Sequence, residues 1–299
     1  STRILPHNFN ELIDAQIAEI RGKSFQLYPD FLTGGLMDVS DYADGAGKVK
    51  VRARIEVRDD KTLVITEVPA GTTTEGLINN IEDAVRHGKL KLAQIKDYTA
   101  EHVEIEIKLP RGFHAKDSIK RLYAYTDCEV NISSMLMVIC ENEPVVMTVT
   151  EVLKRNTEKL VDYLRRELEL KLHKLNEQFH QKTLAQIFIE NRIYKRIEEC
   201  ETWETVLAEV HKGLEPFRDQ FKREVTDDDI EKLLQLQIRR ISRFDLDKNR
   251  RELDDILKAI EETKHHLEHL EKFAVDYLKA IKKKYGKNFP RRTEITDMR

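Results

Sequence analysis

The chain has 299 residues, of which 40% are apolar, 35% charged and 7% aromatic, and its formal net charge is −3. This composition is typical of modest cores joined by long, solvent-exposed helices, and no apolar run approaches the ~20 residues of a membrane span, which argues against a membrane or secreted protein. The three cysteines, Cys128, Cys140 and Cys200, are far apart and form no CxxC pair. We therefore expect neither a structural zinc site nor a disulfide framework, which indicates a protein of the reducing cytosol.

The first half of the sequence predicts a mixed α and β domain. Residues 11–21 predict a helix that Gly22 ends. Residues 47–57 alternate apolar and charged side chains, which predicts one half-buried strand that turns back into a second strand over 63–68. Further helices are predicted at 74–86 and 116–125, and further strands at 103–109 and, as a pair, over 130–147. We therefore expect an α+β domain over residues 1–148.

The second half predicts long helices with coiled-coil character. Apolar residues step by three and four for four heptads over 253–281, and a less regular apolar stripe runs over 161–179. Shorter helices occupy the region between the two stripes. The simplest topology sends one long helix out to a small helical domain and returns a second long helix antiparallel to the first. An ordinary helix bundle is the alternative.

One helix of the intervening region has two apolar faces. Thr226 and Asp229 resemble a capping box that opens a helix running to Ile241. One face can serve the core of the small domain, whereas the opposite face needs a partner. We therefore predict a dimer contact formed by Leu233, Leu236, Gln237 and Arg240. The alternative is a helix that is buried on all sides.

Three patterns suggest chemistry, but each has a structural explanation. His265, His266 and His269 have metal-ligand spacing, yet the heptad phase turns them toward water. The acids 227–229 suit the first turn of a helix, where they interact favourably with its dipole. Residues 45–48 resemble a phosphate loop but lack its required Ser or Thr, because Val49 follows Lys48. We therefore predict no catalytic residue, no metal site and no nucleotide site in this chain.

A row of cations is the strongest functional signal. The charged face of the 47–57 strand carries Lys48, Lys50, Arg52 and Arg54, which span about 20 Å and can meet the phosphates of a DNA duplex. A second basic run, 279–292, contains seven cations and no acid and ends with Arg291 and Arg292, while acids outnumber cations over 198–232. This segregation predicts that one end of the chain binds a polyanion. A charged face on a half-exposed strand is the ordinary alternative.

The sequence resembles the A subunit of bacterial type IIA topoisomerases, the gyrase and topoisomerase IV family, over essentially its whole length. Motifs in the order and spacing of that family carry the resemblance. They are Ile4-Leu5-Pro6-His7-Asn8-Phe9, Pro29-Asp30-Phe31-Leu32-Thr33-Gly34-Gly35, Gly45-Ala46-Gly47-Lys48-Val49 with Arg52-Ala53-Arg54, Ile65-Thr66-Glu67-Val68-Pro69, Leu122-Tyr123 with Thr126, Tyr285-Gly286 and Arg291-Arg292-Thr293-Glu294-Ile295. The family usually has proline, arginine, tyrosine and lysine where this sequence has Leu32, Ala46, Ala70 and Glu75. These departures mark a divergent member and favour topoisomerase IV over gyrase.

The resemblance implies an architecture for the chain. It implies a DNA-facing tower domain, a long antiparallel coiled coil and a small all-helical dimerisation domain that closes the exit gate for duplex DNA. The implied boundaries are 1–148 for the tower, 149–184 for the outgoing helix, 185–245 for the dimerisation domain, 246–285 for the returning helix and 286–299 for a basic tail that returns to the tower.

The resemblance also implies a mechanism shared between subunits. The family cleaves DNA with a tyrosine that directly follows an arginine, and none of the nine tyrosines here does so. Because the sequence starts at Ser1 rather than Met, we expect a fragment of a longer protein that is inactive alone. Its expected partners are double-stranded DNA, a second copy and a B subunit that supplies ATP and Mg²⁺ sites in an A2B2 enzyme of the bacterial cytoplasm and nucleoid. The alternative from another class is a non-enzymatic coiled-coil scaffold that binds DNA or a protein.

Overall fold

The computed structural model of the chain describes residues 2–235 and 243–298, with side chains from residue 245 in the second range. The chain forms two compact units. The sheet unit comprises Ser1–Glu158 and Val275–Arg299, and the helical unit comprises Lys159–Ala274. None of the described helices is long and apolar enough to cross a membrane.

Helices and strands alternate in the sheet unit, and helices fill the helical unit. The helices are α1 Phe9–Ile20, α2 Thr74–Arg86, α3 Ala115–Tyr125, α4 Val149–Glu190, α5 Trp203–Leu214, α6 Asp227–Leu234, α7 Arg243–Glu268 and α8 Leu270–Tyr285. The strands are β1 Leu36–Asp38, β2 Lys48–Arg52, β3 Arg54–Asp59, β4 Thr62–Glu67, β5 Gln94–Asp97, β6 Ile105–Lys108, β7 Glu129–Ser133, β8 Leu136–Cys140, β9 Glu143–Met147 and β10 Glu294–Ile295. The mixture of α and β structure predicted for the first half is therefore confirmed.

The single strand predicted over 47–57 is wrong, because the chain changes sheets at Ala53. β2 lies in a sheet of order β10-β1-β2-β7, whereas β3 lies in a second sheet of order β3-β4-β6-β5. Ala53 is fully buried between them and donates its N–H to the Cys128 carbonyl oxygen, 2.7 Å away. The alternation holds within β2, where Val49 and Val51 are fully buried, but Val57 is 54% exposed on the edge strand β3.

Each large sheet of the sheet unit has its own core. The second sheet packs against α2 and α3 through the buried side chains of Leu63, Ile65, Leu77, Ile81, Ile105, Ile107 and Leu122. The first sheet packs against α1 and the first turns of α4, with Ala15, Met37, Tyr42, Val49, Val51, Val149 and Leu153 in its core. Burial raises the pKa of the Tyr42 phenol well above its usual range.

The last strand, β10, forms one edge of the first sheet, although it is far from the other strands in the sequence. β10 pairs parallel to β1, with Leu36 opposite Glu294 and Met37 opposite Ile295. Thr293, which precedes β10, is fully buried. Its hydroxyl accepts from the Phe31 N–H at 2.8 Å and donates toward the Phe31 carbonyl oxygen at 3.2 Å. The segment after α8 is therefore built into the sheet unit by backbone pairing.

The region 130–147 contains three strands rather than the predicted two. β7 joins the first sheet, while β8 and β9 form a separate two-stranded hairpin. Glu141 and Asn142 make its turn with φ angles of 52° and 68°. This two-residue turn with both φ angles positive matches the twist of the flanking strands.

The helical unit contains α4 from Lys159 onward, all of α5, α6 and α7, and the start of α8. Its core packs α4 against α5 and α6 through Leu184, Ile187, Phe188, Val210, Leu214, Ile230 and Leu233. The capping box predicted at Thr226 and Asp229 is confirmed, since each side chain accepts from the other residue's backbone N–H. The described helix is α6, Asp227–Leu234, and the predicted end at Ile241 lies outside the described residues.

The long helices contact each other in the helical unit. Lys182 of α4 forms an ion pair with Glu252 of α7, and Asn249 donates from Nδ2 to Gln186 Oε1 at 2.7 Å. Later residues of α4 therefore contact earlier residues of α7, as in an antiparallel pair of helices. The returning segment predicted as one helix is two, α7 and α8, divided at His269.

A buried carboxylate joins three segments of the helical unit. Asp229, at the start of α6, has a side chain only 2% exposed. It accepts from two nitrogens of Arg223, at 2.6 and 2.9 Å, and from Gln181 Nε2 at 2.6 Å and His180 Nε2 at 3.2 Å. Burial by itself would raise the pKa of Asp229, but these hydrogen bonds and the one from the Thr226 N–H hold it well below its usual range.

Candidate nucleic-acid interface

Lys48 and Lys50 are the two cations of the predicted strand row that remain available for a ligand. Both lie on β2 between fully buried valines, so the pleat directs their side chains away from the core. Lys48 is exposed and Lys50 is half-buried. Neither side chain forms an ion pair with any residue of the described ranges.

Lys48 lines two clefts that differ in their balance of cations and acids. The first, of about 610 Å³, is lined by Arg3, Lys48, Gly47, Ser133, Ser134, Asp41, Ala46 and Met135, and we call it the serine cleft. The second, of about 460 Å³, contains Lys48 and Lys50 together with the acids Asp38, Asp41 and Glu129. Two cations and the exposed Ser133 hydroxyl against one acid suit a phosphate group in the serine cleft, where the buried Ser134 hydroxyl donates to the Arg3 carbonyl oxygen at 3.4 Å. In the second cleft three acids offset the two lysines.

Gly47 allows the backbone to form the wall of the serine cleft. A Cβ atom at this position would lie 2.0 Å from the carbonyl oxygen of Asp41. That same oxygen accepts from the Lys48 N–H at 2.9 Å, which fixes the start of β2. Only glycine lets the two backbone segments approach this closely.

Arg3 is a cation of this site that the sequence analysis missed. Its backbone pairs with Met135, through an N–H to carbonyl bond of 2.8 Å and a return bond of 3.0 Å. The side chain is exposed and lines the serine cleft with Lys48. The available signal was its position directly before the Ile4–Phe9 motif, but no pattern indicated that residue 3 meets residue 48.

Arg52 is held by the protein itself. Its Nε donates to Glu129 Oε2 at 2.6 Å, and its guanidinium lies 4.6 Å from the centre of the Tyr123 ring. The Tyr123 hydroxyl in turn donates to the carbonyl oxygen of Ala53 at 2.9 Å. Burial raises the pKa of Tyr123 to about 12. Arg52 therefore supports the junction between the two sheets.

Arg54 is also engaged within the fold. It donates from Nε to Glu67 at 3.0 Å and from Nη2 to Glu294 at 2.8 Å, and these hydrogen bonds raise its pKa. The Glu67 carboxylate also accepts from the Gly35 N–H at 2.6 Å. Arg54 thus links the second sheet to β10 and to the loop before β1. The predicted row of four equivalent cations is therefore divided between a free pair and an internally paired one.

Arg291 is an internal clamp rather than an exposed cation. Its guanidinium, 24% exposed, forms a bidentate pair with Glu11 of α1 at 2.8 to 3.1 Å. It also donates to the carbonyl oxygens of Pro29, Tyr28 and Thr293 at 3.0 to 3.1 Å. Arg292 is exposed, and its side chain has no ion pair within the described ranges.

Asp30 and Asn8 organise the same junction. Asp30 Oδ1 accepts from the Arg292 and Thr293 N–H groups at 3.0 and 2.9 Å, and Oδ2 accepts from Asn8 Nδ2 at 3.0 Å. Burial would raise the pKa of Asp30, but these hydrogen bonds hold it below its usual range. Asn8 also caps α1 by accepting from the Asn10 and Glu11 N–H groups. These residues lie in the motifs quoted above, although the sequence did not assign them this role.

The structure does not bring all six predicted DNA contacts together. Lys48 and Lys50 lie on the same face of β2, an inner strand of the first sheet, with Lys50 paired to Asp38 of β1 in register. Arg292 lies beside Asp30, before β10. Arg52, Arg54 and Arg291 are used in internal ion pairs. The candidate interface is therefore the serine cleft, which Arg3 and Lys48 line.

The predicted dimer contact lies only partly within the described residues. Leu233 is 3% exposed and packs in the core of the helical unit, so the chain buries this side chain without a partner. The face opposite Ile230 is thus not free at this position, but the helix is not buried on all sides, because Asp228, Glu231 and Lys232 are exposed. Leu236, Gln237 and Arg240 lie outside the described residues.

The three histidines of α7 and its C-terminal end form no metal centre in the structure. The rings of His265 and His269 lie 4.3 Å apart between centroids, and His269 Nδ1 bonds the His265 carbonyl oxygen at 3.0 Å. No group of three or more His, Cys, Asp or Glu side chains in residues 2–235 and 245–298 could hold a metal ion.

The family model and the relatives that match this chain all belong to one protein family. The family model for the A subunit of DNA gyrase/topoisomerase IV matches residues 1–279. The A subunit of DNA topoisomerase 4 from Borreliella burgdorferi is 42% identical over 296 residues, which cover 99% of this chain and 47% of that protein. The DNA gyrase A subunits of Brachyspira hyodysenteriae and Helicobacter pylori are 28% and 26% identical, and the alignments cover 99% of this chain and 37% of each of those proteins. The chain thus spans about half the length, or less, of these relatives.

Proposed function

The chain belongs to the family of DNA gyrase/topoisomerase IV A subunits, and we propose that it is the tower, coiled-coil and exit-gate portion of a topoisomerase IV A subunit. The higher identity to the topoisomerase IV relative than to the gyrase relatives supports this choice. In the whole enzyme this portion serves ATP-dependent passage of one DNA duplex through another. Its own part is to bind the cleaved duplex and to form the gate through which the second duplex leaves.

The serine cleft is the observation that supports DNA binding in this chain. It places the exposed side chains of Arg3 and Lys48 beside Ser133, which is also exposed, and Ser134, which is buried. Cations and hydroxyls bind phosphate oxygens, which position a duplex without reading its sequence. We propose that Arg3 and Lys48 contact the DNA backbone, with Lys50 and Arg292 as peripheral cations. The roles of Arg52, Arg54 and Arg291 are then to hold the surface in place.

Replacing both Arg3 and Lys48 by alanine is expected to weaken binding to duplex DNA. Each lost phosphate contact should reduce the magnitude of the slope of log K against log salt by about 0.9. The slope of the double variant should therefore be smaller in magnitude than that of the wild type by about 1.8. Fluorescence anisotropy with a labelled DNA duplex over a range of salt concentrations measures this slope.

The matched control for DNA binding removes the same charge elsewhere. Lys89 and Lys91 are exposed, follow α2 and have no ion pair in the described parts of the chain. Replacing both Lys89 and Lys91 by alanine should leave the slope of log K against log salt unchanged. Equal slopes for the two double variants would show that binding depends on net charge and would reject the serine cleft. Arg52 and Arg54 are poorer targets, because their replacement also breaks internal ion pairs.

The helical unit is proposed to pair with a second copy at the exit gate. The contacts between α4 and α7 support an antiparallel coiled coil, since they run in opposite directions along the two helices. Leu233 is part of the core, so the proposed contact rests on Leu236, Gln237 and Arg240. The acidic character of residues 198–232 would repel a departing duplex.

Leu236→Glu is expected to weaken the proposed dimer strongly. A buried charge without a partner is costly at an interface, so the dissociation constant should rise at least about 100-fold. Sedimentation equilibrium over a wide concentration range measures it, and Leu257→Glu, on a residue 36% exposed in α7, is the control. A wild-type chain that stays monomeric at every concentration would contradict pairing at this tip.

The remaining chemistry is proposed to lie on other parts of the enzyme. None of the nine tyrosines follows an arginine, so we propose that this portion alone does not cleave DNA. ATP and Mg²⁺ are proposed to bind the B subunit of an A2B2 enzyme that acts on the nucleoid in the cytoplasm. The competing proposal is a non-enzymatic scaffold. Strand passage regained when this portion is supplied with the missing A-subunit region plus a B subunit would reject the scaffold.

A further inference from the structure

The basic run 279–292 leaves a cluster of lysines at the C-terminal end of α8. Four lysines of the run are exposed and form no ion pair in residues 2–235 and 245–298, and we call them the lysine end: Lys279, Lys283, Lys284 and Lys287. Two other cations of the run are engaged, since Lys282 pairs with Asp14 at 2.6 Å and Arg291 pairs with Glu11. These acids of α1 are therefore already neutralised, and the charge of the lysine end is left over.

The helix dipole accounts for only part of this cluster. Cations in the last turn of a helix interact favourably with its C-terminal partial charge, and the effect fades within that turn. It covers Lys283 and Lys284, but Lys279 lies a turn earlier and Lys287 follows the end of α8. Lys279 and Lys283, four residues apart on one face of the helix, repel each other. A polyanionic ligand would relieve this repulsion.

The backbone that carries the lysine end is fixed to the start of α1. Asn10 donates from Nδ2 to the carbonyl oxygens of Gly286 and Phe289 at 2.9 and 3.1 Å, and Asn8 also donates to Phe289 at 3.0 Å. A Cβ atom at position 286 would lie 2.3 Å from Asn10 Oδ1, so only glycine allows this approach. The backbone is thus ordered before any ligand binds, which lowers the entropic cost of binding.

The lysine end is separate from the serine cleft. Leu36 of β1 is opposite both Arg52 of β2 and Glu294 of β10, so the segment that follows the lysine end joins the first sheet at its Arg52 end. The serine cleft lies at the other end of β2, where Lys48 is opposite Ser133. These two ends of β2 are about 13 Å apart along the strand. The contacts of the run with α1 involve no residue that lines the cleft.

The described ends of the chain contact the clefts rather than the lysine end. Thr2 donates its hydroxyl to the carbonyl oxygen of Met135, in the wall of the serine cleft, at 3.2 Å. The Met298 N–H donates to Asp38, in the second cleft, at 3.1 Å. An adjoining chain end is therefore not what leaves the lysine end exposed.

We propose that the lysine end binds a second DNA duplex, separate from the one at the serine cleft. This rests on the proposed function, in which one duplex is cleaved and another passes through, and it assigns the lysine end to the passing duplex. Lys279 and Lys283 are about 6 Å apart along α8, so their long side chains can reach neighbouring phosphates of one strand. Lysine is a flexible point charge that binds phosphate without reading the base sequence, which suits a duplex in motion.

The number of duplexes bound per chain tests this proposal. The probe is a fluorescein-labelled duplex of about 12 base pairs, about 40 Å long. It is titrated with the chain at concentrations well above the dissociation constant and followed by fluorescence anisotropy. The wild type should bind two duplexes per chain. The double variant Lys283→Ala with Lys287→Ala should bind one, at the serine cleft. These two side chains form no ion pair in the described parts of the chain, so the fold should be unchanged.

Two matched variants separate this inference from the serine cleft. Arg3→Ala with Lys48→Ala should also bind one duplex, at the lysine end. Lys89→Ala with Lys91→Ala removes the same charge elsewhere and should bind two.

The proposal is overturned if the lysine variant binds two duplexes like the wild type, while loss at the serine-cleft variant would leave the proposed function standing. It is also overturned if the wild type binds a single duplex that both variants weaken, because one duplex would then bridge the two surfaces. A wild type that binds no duplex would reject the inference and the proposed function together. A hexaglutamate peptide that displaces the duplex from the serine-cleft variant at lower concentration than unlabelled duplex would assign the lysine end to an acidic protein segment instead.

Discussion

Replacing Asp229 by asparagine is expected to destabilise the helical unit by about 3–5 kcal/mol, because it leaves buried donors without their charged acceptor. The wild-type carboxylate accepts from Arg223, Gln181, His180 and the Thr226 N–H. An asparagine of the same size presents an NH2 group in place of one accepting oxygen. That group would face donors of Arg223 or His180, and the bidentate pairing could not be satisfied.

The measurement is urea unfolding followed by the fluorescence of Trp203. This residue is the only tryptophan, and it begins α5 of the helical unit. Asp228→Asn is the matched control, because Asp228 is exposed in the same first turn of α6. The control removes the same charge near the helix dipole and should cost no more than about 1 kcal/mol. Equal losses for the two variants would mean that the buried network adds nothing beyond the dipole effect.

The same network predicts a dependence of stability on pH. The pKa of Asp229 is lower in the folded chain than its usual value of about 3.9. The ionised group therefore stabilises the fold fully above about pH 4, and this stabilisation is lost as the pH falls toward the lower pKa of the folded state. The difference between wild type and Asp229→Asn should be large at pH 7 and smaller at pH 3. A difference that does not change between these pH values would contradict the assignment.

Replacing Arg291 by alanine is expected to release the segment after α8 from the sheet unit. The guanidinium joins Glu11 of α1 to the carbonyl oxygens of Tyr28, Pro29 and Thr293. Its removal leaves these acceptors without their charged donor. Since Glu11 is partly exposed and can bind water, we expect a local loss of about 2–3 kcal/mol rather than the full cost of a buried pair.

Hydrogen exchange of peptides covering residues 286–298 measures the release of this segment. A loss of about 2–3 kcal/mol corresponds to exchange about 30- to 160-fold faster in the variant. Arg292→Ala is the control, because the neighbouring side chain is exposed and only its backbone N–H bonds Asp30. The control should leave exchange unchanged and lower DNA affinity modestly. If Arg291→Ala lowers DNA affinity without faster exchange, Arg291 contacts DNA instead of clamping the fold.

Local sequence patterns were sufficient where a single segment determined the structure. The spacing of apolar residues predicted α1 and α2, and the pair Thr226 and Asp229 predicted the start of α6. The alternation in β2 was also correct, since Val49 and Val51 are buried and Lys48 is exposed. Short strands without a clear pattern were missed, among them β1 and β5, because their pairing depends on neighbours that are distant in the sequence.

The sequence alone determined the family, the mixed α and β character of the first half, and the segregation of charge along the chain, because composition, period and motif order are properties of local sequence. Only the tertiary structure decided which cations are free. Arg52, Arg54 and Arg291 carry the same positive charge as Lys48. Their ion-pair partners are Glu129, Glu67 and Glu11, which lie 77, 13 and 280 residues away along the chain. The physical reason is that an ion pair depends on distance in space, which the order of residues does not record. Arg3 entered the candidate interface, and Leu233 left the predicted dimer surface, for the same reason.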